Sequence, residues 1–252
     1  MILVAAAAIA LSLSSESSHP ERSASSRDQA SSPPAAEANP SPYQSRDVAV
    51  GRFDRLKVSG PFKVGVLVSR EPRLVRLHGP PALLGDVVVA VEGDTLAIRF
   101  REGAAWSWNP GSGVNIVVSA TSLASVNLEG AADVEISGVR GETFAAATAG
   151  AGVVRATLLD VGQVHLTTGG SGGITVDGSA REATYVVGSS GSIDAMRLRV
   201  RNASIAVAGA GSSYANVSGT ANISSSGSGR IEVVGGATCI KQPADSRRIE
   251  CR

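Results

Sequence analysis

Aromatic residues make up only 4% of this 252-residue chain. A core of large rings is therefore excluded, and one of Val, Ile, Leu and Ala is left. Two cysteines are too few for a disulfide-dense mini-scaffold or a four-cysteine zinc site. Neither sign of charge dominates: Lys+Arg is 23, Asp+Glu is 22, and the formal net charge is +1. Gripping a phosphate backbone wants a clustered basic excess, so nucleic acid is not an expected partner. No window holds a helical period over three turns. No Ser-His-Asp order, His-x-x-x-His pair or phosphate loop occurs. No metal or other cofactor is expected.

What the chain has is glycine, 29 residues of it. Its length fits one large domain or two small ones, at ~150 residues per domain. Ile2 to Leu13 is an uncharged apolar run. It is shorter than the ~20 residues a bilayer span needs. It reads as the apolar part of a signal peptide over residues 1–14, with a buried N-terminal strand or helix as the alternative. No membrane span is expected in the mature chain. Residues 15–46 hold ten Ser, five Pro and five Ala. Such a segment buries too little to offset its ordering entropy and reads as a disordered linker. Residues 47–252 are then the globular part.

Its first half reads as short strands of period 2: Leu56 to Val58, Val64 to Val68, Leu74 to Leu77, Val87 to Val91, Thr95 to Phe100 and Val114 to Val118. Glu92-Gly93-Asp94 reads as a hairpin turn. After Leu123 a glycine-rich turn recurs, starting at Gly130, Gly150, Gly170, Ser189, Gly209 and Gly227, with spacings of 20, 20, 19, 20 and 18. Periods of this length mark solenoids.

Stacking the repeats yields columns. Val134, Val154, Ile174, Ile193, Ser213 and Ile231 form one. Ile136, Ala156, Val176, Ala195, Ala215 and Val233 form a second, and Val126, Ala146, Leu166, Tyr185, Ile205 and Ile223 a third. Side chains alternate across a strand, so these mostly apolar columns should point inward and stack. Glu135, Arg155, Thr175, Asp194, Tyr214 and Glu232 fall between the first two and should face water. The expected fold is all-β, a parallel β-helix with coils of about 20 residues. An antiparallel sandwich, with the glycine turns as hairpin tips, is the alternative.

The segment Phe53-Asp54-Arg55-Leu56-Lys57-Val58-Ser59-Gly60-Pro61-Phe62-Lys63-Val64, followed by the Gly-Ser-Gly-type turns, resembles the bacterial auto-transporter adhesin head GIN domain family. The likeness runs from about residue 48 to the C-terminus. It implies a right-handed, pectin-lyase-like β-helix, no established catalytic residues, and a role in adhesion or surface binding.

Cys239 and Cys251 lie just past the last repeat, and in an oxidising compartment they should pair and pin the tail over the open end of the helix. β-Helix lyases and hydrolases need clustered acids with a base or a calcium ion. Here Asp133, Glu135, Asp160, Asp177, Asp194 and Glu232 are spread over five repeats, only Asp133 and Glu135 sharing one, and His78 and His165 are isolated. No catalytic residue is assigned.

Two features remain as candidate ligand-binding sites. Arg197, Arg199 and Arg201 alternate with Leu198 and Val200 and should form a basic stripe, suited to acidic glycan or an anionic surface. Trp106 and Trp108 lie in a Gly-rich loop, where exposed rings suit sugar faces. The residues therefore point to an exported, non-enzymatic module that binds polysaccharide or another surface component in the periplasm, at the envelope or outside the cell. A polysaccharide-processing enzyme and an envelope scaffold for other proteins are the alternatives.

Overall fold

Runs that alternate apolar and polar residues extend into strands, because a strand offers opposite faces to successive side chains. A computed structural model describes residues 43–70, 73–104, 113–243 and 247–252. The signal-like run, residues 15–42 of the linker, and both tryptophans lie outside the described residues.

The first half holds β1 (Gln44–Ala49), β2 (Arg55–Ser59), β3 (Lys63–Val68), β4 (Leu74–Gly79), a single helical turn α1 (Pro81–Leu84), β5 (Val87–Glu92), β6 (Thr95–Phe100) and β7 (Asn115–Ala120). The repeats supply β8 (Ser125–Glu129), β9 (Asp133–Ser137), β10 (Arg140–Thr148), and three long strands, β11 (Val153–Thr168), β12 (Gly173–Val187) and β13 (Ser192–Val207). The chain closes with β14 (Ser212–Val217), β15 (Thr220–Ser225), β16 (Ile231–Val234), β17 (Thr238–Gln242) and β18 (Ile249–Cys251).

These strands stack into a β-solenoid with two long faces. One face runs β5, β6, β2, β8 and β10, then the second halves of β11, β12 and β13, then β15 and β17. The other runs β1, β4, β7, β3 and β9, then the first halves of β11, β12 and β13, then β14, β16 and β18. Each long strand passes from one face to the other round a corner. On β11 that corner is Leu158, with φ of 56°, exposed and left-handed. The coil before it turns there on Gly138 (φ 86°).

The stacking differs from the chain order in the first half. The rung of β2 and β3 lies between the rung of β6 and β7 and the rung of β8 and β9. Three pairings there are antiparallel: β1 with β4, β4 with β7, and β5 with β6. They form the N-terminal end of the stack, with β1 and β5 as its outermost strands. Gln44 to Arg46, placed in the linker on composition, begin β1. The Arg46 guanidinium donates to the carbonyls of Leu84 (2.8 Å) and Val87 (2.7 Å), which ties this segment to α1 and β5.

In the second half the columns are in register. Members of the three inward columns face their counterparts on the next coil, except Val176 and Ala195 at a register shift between β12 and β13, and all are buried. Tyr185 is the largest side chain in them and is fully buried. Burial raises the pKa of its phenol, and among the described residues its hydroxyl has no hydrogen-bond partner. A buried hydroxyl without a partner carries its full desolvation cost. Tyr185→Phe should therefore leave the melting temperature unchanged or raise it. A loss above ~1 kcal/mol in thermal unfolding would show that the hydroxyl anchors the core.

The two faces end on β17 and β18, and a disulfide joins Cys239 on the first to Cys251 on the second (Cα–Cα 6.7 Å). The crosslink ties the last rung together across the coil. Chain entropy assigns a loop of this length ~3 kcal/mol. Reduction should lower the melting temperature, with hydrogen exchange rising first in β17 and β18. An identical melt with and without reductant would contradict this.

Candidate functional site

The row of arginines on β13 is set by alternation. Leu198 and Val200 are buried, and Arg197, Arg199 and Arg201 project outward just past the corner. The three are not equivalent. A register shift between Thr175 and Asp177 places Asp177 opposite Arg197, and the two pair at 3.3 Å. Arg199 lies between Ser179 and Asn216 on neighbouring coils. Among the described residues Arg199 and Arg201 make no ion pair and no side-chain hydrogen bond. Arg181, one coil back, is held away by Glu142 at 2.6 Å. That pair spans two coils, and it closes because the residue between them is Gly162, where a Cβ would lie 2.5 Å from the Glu142 carboxylate. The stripe of three is thus a pair of free guanidinium groups beside one neutralised one, Arg197, with the neutralised Arg181 on the preceding coil.

The acids stay separate. Asp177 and Glu232 pair with Arg197 and Arg252. Asp194 accepts a bond from the Met196 amide at 3.1 Å. Asp47 and Glu129 have lowered pKa values, through hydrogen bonds from Arg76 and from Lys57 respectively. Any stability these two lend is lost as pH falls through their lowered values, and both pairs are exposed, where ion pairs contribute little. His78 stacks on Tyr43 and bonds Ser45 at 3.1 Å. His165 stands in an outward row of the first face, next to Thr184. Among the described residues no group of three or more His, Cys, Asp or Glu side chains is placed to hold a metal ion.

Sequence reasoning missed a groove on the outer side of the second face. Its floor is Gly65 on β3, with Val117 on β7 to one side and Glu135 on β9 to the other. Leu67, Ser137, Arg155 and Thr157 complete it, enclosing about 480 Å³. A further hollow of about 300 Å³ continues along β3 to Lys63 and Asp133. The signal was present as one glycine in the run Lys63-Val64-Gly65-Val66-Leu67-Val68, but its neighbours come from strands distant in sequence.

The stacked parallel coils and closely stacked turns define a β-solenoid. The sequence matches the family described as "Putative auto-transporter adhesin, head GIN domain" over residues 52–237. The chain belongs to that family. It is also similar to a "putative adhesin" from Bacteroides fragilis NCTC 9343, with TM-score 0.74 and 19% identity, covering 83% of this chain and 93% of that one. A "putative adhesin" from Parabacteroides merdae ATCC 43184 has TM-score 0.61 and 15% identity, over 84% and 94%. A "putative lipid binding protein" from Parabacteroides distasonis ATCC 8503 has TM-score 0.61 and 19% identity, over 84% and 95%. At these identities the likeness is one of fold. No curated protein matches the chain. Among the described residues no helix is long and apolar enough to cross a membrane.

Proposed function

We propose that this chain is an exported, non-enzymatic module that binds polysaccharide or another component of the bacterial surface. In this reading residues 1–14 direct export, and the Ser/Pro/Ala-rich stretch up to β1 tethers the solenoid. The family and its adhesin-named structural neighbours support a surface role. The disulfide fits an oxidising compartment. The observation that carries the reading is the pair Arg199 and Arg201, exposed on a rigid strand and free of the acids that neutralise Arg181 and Arg197. Two unpaired arginines whose backbone positions lie ~7 Å apart along a strand suit carboxylate or phosphate groups on a polymer.

The test is retention of the full chain on acidic polysaccharides. The double variant Arg199→Ser/Arg201→Ser should lose at least about tenfold in affinity, each charge-assisted contact being worth ~1.5–3 kcal/mol in favourable geometry. Undiminished retention would remove these two residues from the site. The name of one structural neighbour offers a second reading, in which an apolar chain of a lipid occupies the groove over Gly65, whose lining is mostly apolar.

A further inference from the structure

Gly65 sits in the middle of β3 for no reason internal to the fold. Its φ is not left-handed, and a Cβ added there would meet nothing within 4 Å. Among the described residues it is the one glycine inside a strand for which both statements hold. Glycine weakens a strand interior, and where it persists it marks a close approach by a ligand or another backbone. Here the missing side chain opens the floor of the groove.

The walls state what kind of ligand fits. Val117 and Leu67 are about half exposed, at 53% and 47%, and give the groove an apolar side. Glu135 and Arg155 face each other in register on the opposite side, yet they form no ion pair with each other or with any other described residue. Lys63 and Asp133, at the far end, are likewise adjacent and unpaired. The four charges sum to zero. A balanced rim gives no preference to a polyanion. An acyl chain laid over it would strip water from charged groups without replacing their hydrogen bonds. The volume lies within the ~300–1,000 Å³ range of small-ligand sites. A ring with an apolar C–H face and a rim of hydroxyls satisfies both sides at once.

We propose that Gly65 is the floor of a subsite for a neutral saccharide unit, with Val117 and Leu67 packing its apolar face and Glu135 and Arg155 bonding its hydroxyls. The proposal rests on the polysaccharide-binding reading above and places a second site on other strands than the arginine row. The test compares the full chain with Gly65→Val on neutral polymers (a glucan and a mannan) and on acidic ones (an alginate and a polygalacturonate). Valine is a favourable strand residue with open space to occupy, so the variant should melt at the same temperature or higher. Any loss of binding is then not unfolding. The expected result is retention of the wild type on a neutral polymer, at least tenfold weaker in Gly65→Val and in Glu135→Gln, with binding to acidic polymers unchanged. Equal retention of wild type and Gly65→Val on neutral polymers overturns the subsite and leaves the polysaccharide reading standing. Retention on acidic polymers alone also overturns it. No retention on any polymer removes both. Binding to phosphatidylcholine vesicles, or a dimer in sedimentation, that disappears in Gly65→Val overturns it in favour of a lipid or a second copy of the chain.

Discussion

Replacing Gly172 with alanine is expected to destabilise the protein by about 3 kcal/mol or more, a fall of roughly 6–12 °C in melting temperature for a chain of this size. The reason is the stacking of the glycine turns. A Cβ on Gly172 would lie 2.0 Å from the carbonyl oxygen of Gly152 on the preceding coil, a backbone atom that cannot swing aside. That same carbonyl accepts the Gly173 amide at 3.2 Å, so moving it breaks a bond between coils. The clash repeats up the stack: Gly170 against Gly150, Gly209 against Ser189, Gly211 against Gly191, Gly229 against Gly211. The control is one residue away. On Gly173 a Cβ would have ordinary contact at 3.5 Å, and φ there is not left-handed. Gly173→Ala should be neutral or slightly stabilising, because alanine loses less conformational freedom on folding. Equal melting temperatures for the two variants would contradict the turn stacking described here.

The second large effect is expected at Leu166. This side chain is fully buried, with Ala146 and Tyr185 as its counterparts on the coils before and after. Leu166→Ala should cost ~2–5 kcal/mol, the lost transfer energy plus the cavity left behind. With Ala146 already small, two adjacent coils would lack bulk at one position, which favours the upper part of that range. A solenoid is held together by contacts between nearest neighbours, so damage in a central coil separates the structure into two weaker blocks. Denaturant unfolding should then lose cooperativity as well as midpoint. Ile231→Ala, near the C-terminal end, should shift stability without splitting the transition. A Leu166→Ala variant within ~1 kcal/mol of wild type would show that the coil interior is not close-packed there.

The second half was legible in the sequence because parallel, in-register stacking brings one position of every repeat together. The residues that recur every 18 to 20 positions, from Val134 to Ile231, are therefore the residues that touch. The first half has no such period. That β2 and β3 insert between later strands, and that β1, β4 and β5 pair antiparallel at one end, follows from non-local pairings that alternation alone leaves open. The arginine row was legible as an exposed row, from its alternation with Leu198 and Val200. Its division into paired and free members was not. Asp177 meets Arg197 through a local register shift, and Glu142 reaches Arg181 across a coil whose intervening residue is glycine. The groove was illegible for a related reason: the repeat places Glu135 beside Arg155, but Gly65 and Val117 belong to first-half strands that share no spacing with them.

The function proposed for this solenoid is binding of a surface polysaccharide without cleavage. The most direct measurement applies the purified full chain, with its disulfide intact, to an array of bacterial and plant polysaccharides. Retention and the release of new reducing ends are scored on the same samples. The expected result is retention on at least one polymer, no shortened product, and weakening by Arg199→Ser/Arg201→Ser or by Gly65→Val. Release of shortened product, or no retention on any polymer, would contradict it.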